Sequence, residues 1–195
     1  MTSFERNRRQ GFTVFFTGLP GAGKSATATM LRIRLLEAGE RSISLLDGDI
    51  ARKQLSADLG FSRDDRNENI RRIGSAAAEI TKNGGISICA PIAPYDSARK
   101  TVRQMISSVG GFLLAYVSTP VEVCEARDRK GLYAKARAGI ISQFTGVSDP
   151  YEPPDDAEIT FDATHTSVET AVDLIVKRLH EEGDIPSGGF KTARH

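Results

Sequence analysis

Residues 18–25 read Gly-Leu-Pro-Gly-Ala-Gly-Lys-Ser, a complete G-x-x-x-x-G-K-[ST] run, and their flanks constrain the fold more than any other feature of the chain. A β-type segment, Phe12 to Thr17, leads in, and a helical pattern from Ala26 to Ala38 leads out. The glycines let the backbone curl until its N–H groups converge on a polyphosphate. The helix that follows brings the positive end of its dipole to the same point. In this setting Lys24 reaches the β- and γ-phosphates of a nucleotide and Ser25 helps to hold Mg²⁺. All eight residues, Gly18, Leu19, Pro20, Gly21, Ala22, Gly23, Lys24 and Ser25, are therefore expected at the nucleotide. A glycine-rich surface turn with a stray lysine would need neither the strand before it nor the helix after it.

The rest of the chain alternates in the same way. Strands are expected at Phe12–Thr17, Ser42–Leu46, Ile86–Ala90, Phe112–Val117 and Ile159–Ala163. Helical stretches separate them, at Ile50 to Ala57, Asn67 to Lys82, Asp96 to Ser107, Pro120 to Arg127 and Ser167 to Glu182. Apolar strands alternating with helices predict an α/β fold of the P-loop nucleoside-triphosphate hydrolase type, in three layers. A five-stranded parallel sheet carries helices on both faces. Right-handed crossovers put every strand's C-terminal end on one edge, where ligands bind. Residues 128–156 show no long period and read as a lid segment. Residues 1–11 read as a linker or flexible arm, 12–182 as the kinase-like domain and 183–195 as a flexible tail.

Composition removes several function classes. With 26 basic against 25 acidic residues the net charge is +1, which asks for neither nucleic acid nor a membrane surface. No apolar run approaches the ~20 residues of a membrane span. Cys89 and Cys124 fall within apolar patterns and read as buried, reduced thiols of a cytoplasmic protein. His165, His180 and His195 lack metal-ligand spacing, so structural zinc is not expected.

Three clusters fall at the predicted ligand edge. Asp47-Gly48-Asp49 ends the second strand beside the phosphate loop. Of Asp47 and Asp49, one is expected to orient Mg²⁺ through water and the other to orient an acceptor or take its hydroxyl proton, so Lys24, Asp47 and Asp49 form the expected catalytic set. Either carboxylate could instead only cap a helix. The second cluster, Gly60 to Arg72, carries Arg63, Arg66, Arg71 and Arg72; guanidinium forks suit phosphate and sulfate, although i,i+4 pairs on a solvated face explain some of them. The third runs from Arg127 through Lys130 and Leu132 to Gln143, Phe144 and Tyr151, and suits a basic lid that closes over phosphates. Arg127 is expected at ATP.

These pieces together resemble the adenylylsulfate kinase (APS kinase) family, from about Gly11 to Leu179. The matching residues are the phosphate loop, Leu46-Asp47-Gly48-Asp49, Gly60-Phe61-Ser62, Asp65-Arg66 with Asn69-Ile70-Arg71-Arg72, Lys130-Gly131-Leu132-Tyr133, Ala136-Arg137-Ala138-Gly139, Phe144-Thr145-Gly146 and Pro150-Tyr151-Glu152. The resemblance implies transfer of the γ-phosphoryl of MgATP to the ribose 3′-hydroxyl of adenosine 5′-phosphosulfate, giving 3′-phosphoadenosine 5′-phosphosulfate (PAPS) in sulfate activation. It implies an acceptor pocket of Asp49, Arg52, Phe61, Arg66, Asn69, Ile92, Ala93, Lys130, Leu132, Gln143 and Phe144. Within it Phe61 and Phe144 can sandwich adenine and Arg52 and Arg66 can hold the phosphosulfate. It further implies a homodimer and an ATP sulfurylase domain or subunit as partner.

The sequence departs from the family in one loop. Where relatives commonly carry Ser-Pro-Tyr/Phe-Arg after the third strand, this chain has Ala93-Pro94-Tyr95-Asp96. A phosphoserine route through that position is closed, and a basic residue is lost. The stretch Cys89 to Tyr95 is similar to the APS-kinase-like domain fused to ATP sulfurylase, which in some enzymes is an inactive module that binds PAPS. Two alternatives to the active kinase stay open on the sequence, that regulatory domain and a kinase for another nucleotide-like acceptor.

Overall fold

The first strand sets out the two faces of the molecule. In the computed structural model, which describes residues 11–40 and 42–185, β1 (Phe12–Thr17) is buried along its whole length. Successive strand side chains point to opposite faces. Phe12, Val14 and Phe16 belong to one apolar cluster and Phe15 to another. After β1 come α1 (Lys24–Glu37), β2 (Ile43–Asp47), α2 (Gly48–Leu55), α3 (Arg63–Lys82), β3 (Ile86–Ala90) and α4 (Asp96–Ser107). Then follow β4 (Gly111–Val117), α5 (Val121–Arg127), α6 (Leu132–Arg137), β5 (Ile159–Phe161) and α7 (Val168–Glu181).

The five strands are all parallel, in the order β2-β3-β1-β4-β5. On one face Phe12, Val14 and Phe16 pack with Leu31 and Leu35 of α1 and with Val172, Ile175 and Leu179 of α7. On the other, Phe15 packs with Ile70, Ile73 and Ala77 of α3 and with Ala98, Val102 and Ile106 of α4. This is the expected sheet with helices on both faces. β1 is central because both of its faces are covered, as a parallel sheet requires.

The differences from the sequence expectation lie at boundaries and in the long segment. β2 begins and ends one residue later than expected, and β5 stops at Phe161 rather than Ala163. Residues 128–156 contain a short helix, α6, that the sequence did not signal. Its first turn is held by the Asp128 carboxylate, which accepts from Leu132 N at 2.8 Å and Ala134 N at 3.0 Å. Gly11, expected in the arm, is buried and its carbonyl accepts from Gly111 N at 3.0 Å. Ile185, expected in the tail, is 3% exposed in the α1–α7 cluster. Residues 1–10 of the expected arm and 186–195 of the expected tail lie outside the described residues. Cys89 and Cys124 are both free and buried, and burial pushes the Cys89 thiol up to about 12. No described helix is long and apolar enough to cross a membrane.

One buried polar pair ties the sheet to α3. Thr13 and Thr81 are both fully buried, with their hydroxyl oxygens 2.8 Å apart. Orphaning one buried hydroxyl costs more than replacing both partners by groups of the same shape. Thr13→Val and Thr81→Val are therefore each expected to lower stability by about 1–3 kcal/mol. The double variant should lose clearly less than their sum, read as denaturant midpoints in a double-mutant cycle.

Candidate active site

The phosphate loop leaves β1 at Gly18 and enters α1 at Lys24. Gly18, Gly21 and Gly23 have φ of 144°, 76° and 116°, a region that side-chain-bearing residues rarely adopt. At Gly18 space is also short, because a Cβ there would lie 2.5 Å from Val117 O. The α1 N-cap is Gly23, which offers no side-chain acceptor to the first-turn N–H groups. The loop is braced from below by residues that sequence reasoning did not single out for a site role. Thr119 Oγ1 donates to Ala22 O at 2.9 Å and accepts from Ala163 N at 3.2 Å. Tyr133 of α6 donates its hydroxyl to Pro20 O at 2.9 Å.

Lys24 is 6% exposed and its ammonium donates to Gly18 O at 2.8 Å and Leu19 O at 2.7 Å. Burial lowers its pKa from 10.5 to about 8, against the opposing charges of Cys124, Asp49 and Asp47. A buried cation poised over a curl of backbone N–H groups is favourable once phosphate oxygens replace the carbonyls.

Asp47 joins the loop to the next element. Its Oδ2 accepts from Ser25 Oγ at 2.7 Å, and its Oδ1 accepts from Asp49 N at 3.1 Å as the N-cap of α2. The capping alternative therefore holds for Asp47, whose other oxygen reaches the serine of the phosphate loop. Ser25 and Asp47 offer a hydroxyl and a carboxylate, hard oxygen donors of the kind Mg²⁺ takes while keeping several waters. Asp49 is exposed in the first turn of α2, and its carboxylate pairs with the Lys130 ammonium from the segment before α6.

A wall rises beside these carboxylates. Arg52 lies 4.3 Å over the Phe61 ring and donates to Leu59 O and Gly60 O. Arg66, 8% exposed, donates from Nε to Phe61 O at 2.9 Å and from Nη1 to Thr145 Oγ1 at 3.0 Å. Its Nη2 donates to Gln143 O and lies 3.6 Å from the Asp149 carboxylate. Arg66 therefore joins the Phe61 backbone to the lid, and its two Nη groups fix Gln143 and Thr145, the neighbours of Phe144. Asn69 is 7% exposed with no protein partner for its Oδ1.

The aromatic pair divides. Phe61 is 56% exposed, and the Arg52 and Arg66 guanidiniums lie over its ring, at 4.3 and 5.6 Å from the centroid. Phe144 is 8% exposed and meets Tyr133 edge-on at 5.0 Å between centroids. In this structure Phe144 packs as a core residue at the base of the lid. Arg71 and Arg72 bear out the plainer alternative. Both pair with Glu68, and Arg72 also with Asp58, on the outer face of α3. Ala93 is 1% exposed, and its carbonyl accepts from Arg99 at 2.8 Å and lies 3.1 Å from the Thr17 hydroxyl, so it shapes the loop rather than presenting a polar group. Arg127 donates to Ala163 O at 2.8 Å, and Ala163 lies against Gly23. Leu132 opens α6, half-buried above the loop. Asp96, where relatives carry a basic residue, pairs with Lys100 at 2.7 Å within α4.

Comparison with known proteins agrees with this geometry. The profile of the adenylylsulphate kinase family matches residues 10–162. A sulfate adenylyltransferase of Aspergillus oryzae is 51% identical over 174 residues, covering 89% of this chain and 30% of that protein. One from Mycosarcoma maydis is 49% identical over 183 residues, 92% of this chain and 32% of the relative. The chain thus spans about a third of the length of these relatives. Among solved structures, the Mycobacterium tuberculosis APS kinase CysC in complex with AMPPNP and APS has 38% identity and a TM-score of 0.83, covering 88% of this chain and 98% of its own. A hexameric APS kinase from Thiobacillus denitrificans has 46% identity and a TM-score of 0.71, covering 91% of this chain and 30% of its own.

The buried ammonium generates a pH dependence. The folded pKa of Lys24, about 8, lies below its ordinary 10.5, so between these values the unfolded chain binds more protons. Stability from this group must then rise with pH across that window. The gap corresponds to on the order of 3 kcal/mol. In the nucleotide-free protein, wild type is expected to gain stability relative to Lys24→Met between about pH 8 and 10.5, measured by denaturant unfolding. The profile match over residues 10–162 and the 51% identity over 89% of the chain show that this protein belongs to the adenylylsulphate kinase family.

Proposed function

We propose that this chain phosphorylates the 3′-hydroxyl of adenosine 5′-phosphosulfate with MgATP, forming PAPS and ADP. The observation that carries the reading is the Asp47 carboxylate, which binds Ser25 of the donor loop through one oxygen and the backbone of Asp49 through the other. Donor and acceptor chemistry are thereby fixed to one side chain. The tuberculosis enzyme, whose structure is in complex with AMPPNP and APS, supports the same pair of ligands.

In this reading the loop N–H groups and Lys24 hold the β- and γ-phosphates, with Arg127 at the nucleotide's outer side. Ser25, and Asp47 through water, would hold Mg²⁺, which supplies positive charge at the phosphates. Arg52, Phe61 and Asn69 form the acceptor wall, with Ile92, Ala93 and Leu132 closing it and Arg66 fixing Gln143 and Phe144 of the lid. Asp49 orients the 3′-hydroxyl and takes its proton as the oxygen bonds to the γ-phosphorus and the bond to the ADP oxygen breaks. Lys130 occupies Asp49 in the absence of acceptor and moves to the acceptor's negative charge when it binds. An attached or partner ATP sulfurylase fits the longer chains of the sulfate adenylyltransferase relatives, a homodimer is carried over from the family resemblance alone, and the free buried thiols fit a cytoplasmic setting.

The alternative is an inactive domain that binds PAPS. The assembled Lys24, Ser25, Asp47 and Asp49 favour catalysis, since a domain that only binds product needs no donor machinery. The deciding assay is ADP release from MgATP with and without adenosine 5′-phosphosulfate. Acceptor-dependent turnover is expected, whereas PAPS binding without turnover would establish the regulatory reading. Asp49→Asn should lower turnover on the order of 100-fold or more while ADP still binds, measured by calorimetry. Lys24→Ala should lose turnover to a similar degree with any acceptor.

Transfer is direct in this reading, because the side chain at position 93 is a buried methyl with no oxygen to carry a phosphoryl group. Incubation with γ-labelled ATP and no acceptor is expected to leave no stoichiometric label on the denatured protein. Label that adenosine 5′-phosphosulfate discharges would point instead to a carrier such as Ser97.

A further inference from the structure

β1 ends at Thr17, one residue before the phosphate loop. Thr17 is fully buried, and its hydroxyl lies at the meeting point of three segments. Thr17 Oγ1 is 2.8 Å from Ile92 O, 3.1 Å from Ala93 O and 2.8 Å from the Tyr151 hydroxyl. A hydroxyl has one proton to give. With Thr17 donating to the nearer carbonyl, Ile92 O, the Tyr151 hydroxyl donates into Thr17 Oγ1. Gly18 N, the first amide of the phosphate loop, donates to the same Ile92 O at 3.3 Å.

The loop so gripped, Pro91 to Tyr95, is held from its other side as well. Arg99 of α4, 2% exposed, donates to Ala93 O at 2.8 Å and to Glu152 O at 2.7 Å. Glu152 N donates to Pro94 O at 2.8 Å. The Glu152 carboxylate accepts from Asp96 N at 2.7 Å and from Arg63 Nη2 at 3.1 Å. The Tyr151 ring stacks on Tyr116 with centroids 5.9 Å apart. Inside this frame Ala93 has φ 47°, a left-handed conformation that costs a non-glycine residue about 1–2 kcal/mol. Such a conformation persists only where its surroundings over-determine it.

We propose that Thr17 and Tyr151 are positioning residues that couple the phosphate loop to the Pro91–Tyr95 loop, so that nucleotide bound at Gly18–Ser25 orders the acceptor wall. The assignment of that wall to an acceptor rests on the proposed function; the coupling does not depend on which acceptor is used. Neither side chain touches a substrate. Both act through the Ile92 and Ala93 carbonyls, and Tyr151 also links the coupling to the segment that carries the lid.

The test is amide hydrogen exchange of the peptide spanning residues 91–99, with and without saturating ADP. In wild type, ADP is expected to slow exchange there at least threefold. Thr17→Ser, which keeps the hydroxyl, should respond like wild type. Thr17→Val and Tyr151→Phe should bind ADP within about threefold of wild type and lose the response, since the first removes two hydrogen bonds of the network and the second removes one. In turnover, both should raise the acceptor KM about threefold to tenfold and leave the ATP KM within about twofold. An ADP response in Thr17→Val equal to that of wild type, or none in wild type, overturns the proposal. Should Thr17→Val fail to fold, Tyr151→Phe, which keeps the stack on Tyr116, decides by the same comparison. Loss of turnover with adenosine 5′-phosphosulfate in wild type, with the exchange response present, would remove the functional reading and leave the coupling standing.

Discussion

The structure depends on a set of backbone N–H groups that the protein leaves without side-chain partners. α2, α3 and α7 begin with Asp47, Ser62 and Ser167, each accepting a first-turn N–H. α1 begins at Gly23 with no such cap. A glycine N-cap costs only about a few tenths of a kcal/mol relative to a capping side chain, and at α1 it leaves the first-turn N–H groups open to an anion. The curl of Gly18 to Gly23 adds further amides, and the buried Lys24 adds a cation that has only carbonyls to meet in the unliganded protein. Amides and cation together prefer a polyphosphate to anything the chain can offer them.

The rest of the fold serves to hold that curl still. β1 is central in the sheet, covered by α1 and α7 on one face and by α3 and α4 on the other, so the point where the loop leaves the sheet cannot drift. Thr119 braces Ala22, Tyr133 braces Pro20, and Thr17 and Gly18 bind Ile92. The acceptor side is built on the same frame. Asp47 ends the strand next to β3, and its two oxygens set the distance between Ser25 and the start of α2.

The basic lid is mostly an ion-pair and carbonyl network at this stage. Arg66 and Lys130 are engaged with Gln143 O, Thr145 and Asp49. An anionic acceptor can displace Lys130, which is exposed and pays little to move. Arg66 is buried and its donors are used, so displacing it would leave several carbonyls unpaired. In the proposed function, that difference assigns Lys130 to the acceptor's charge and Arg66 to the shape of the pocket around it.

The sequence by itself determined the sheet, the phosphate loop and the order of elements. Those features are local: a buried strand is a continuous apolar run, a left-handed turn demands glycine, and Asp47-Gly48-Asp49 falls at a strand end whatever surrounds it. It also identified Arg52, Phe61, Arg66 and Asn69, by their density and by family resemblance. It could not divide them. Whether an arginine faces a ligand, a neighbouring carboxylate or a carbonyl depends on contacts between residues far apart in the chain, such as Arg66 with Gln143 and Thr145. The same holds for Phe144, whose burial against Tyr133 no periodicity announces, and for α6, too short to show one. Thr17, Arg99 and Tyr151 look ordinary in the sequence, a strand threonine, a helix arginine and a loop tyrosine. Only packing brings Thr17 and Arg99 to the carbonyls of Ile92 and Ala93 and Tyr151 to the Thr17 hydroxyl, because buried hydrogen bonds are satisfied across the fold rather than along the chain.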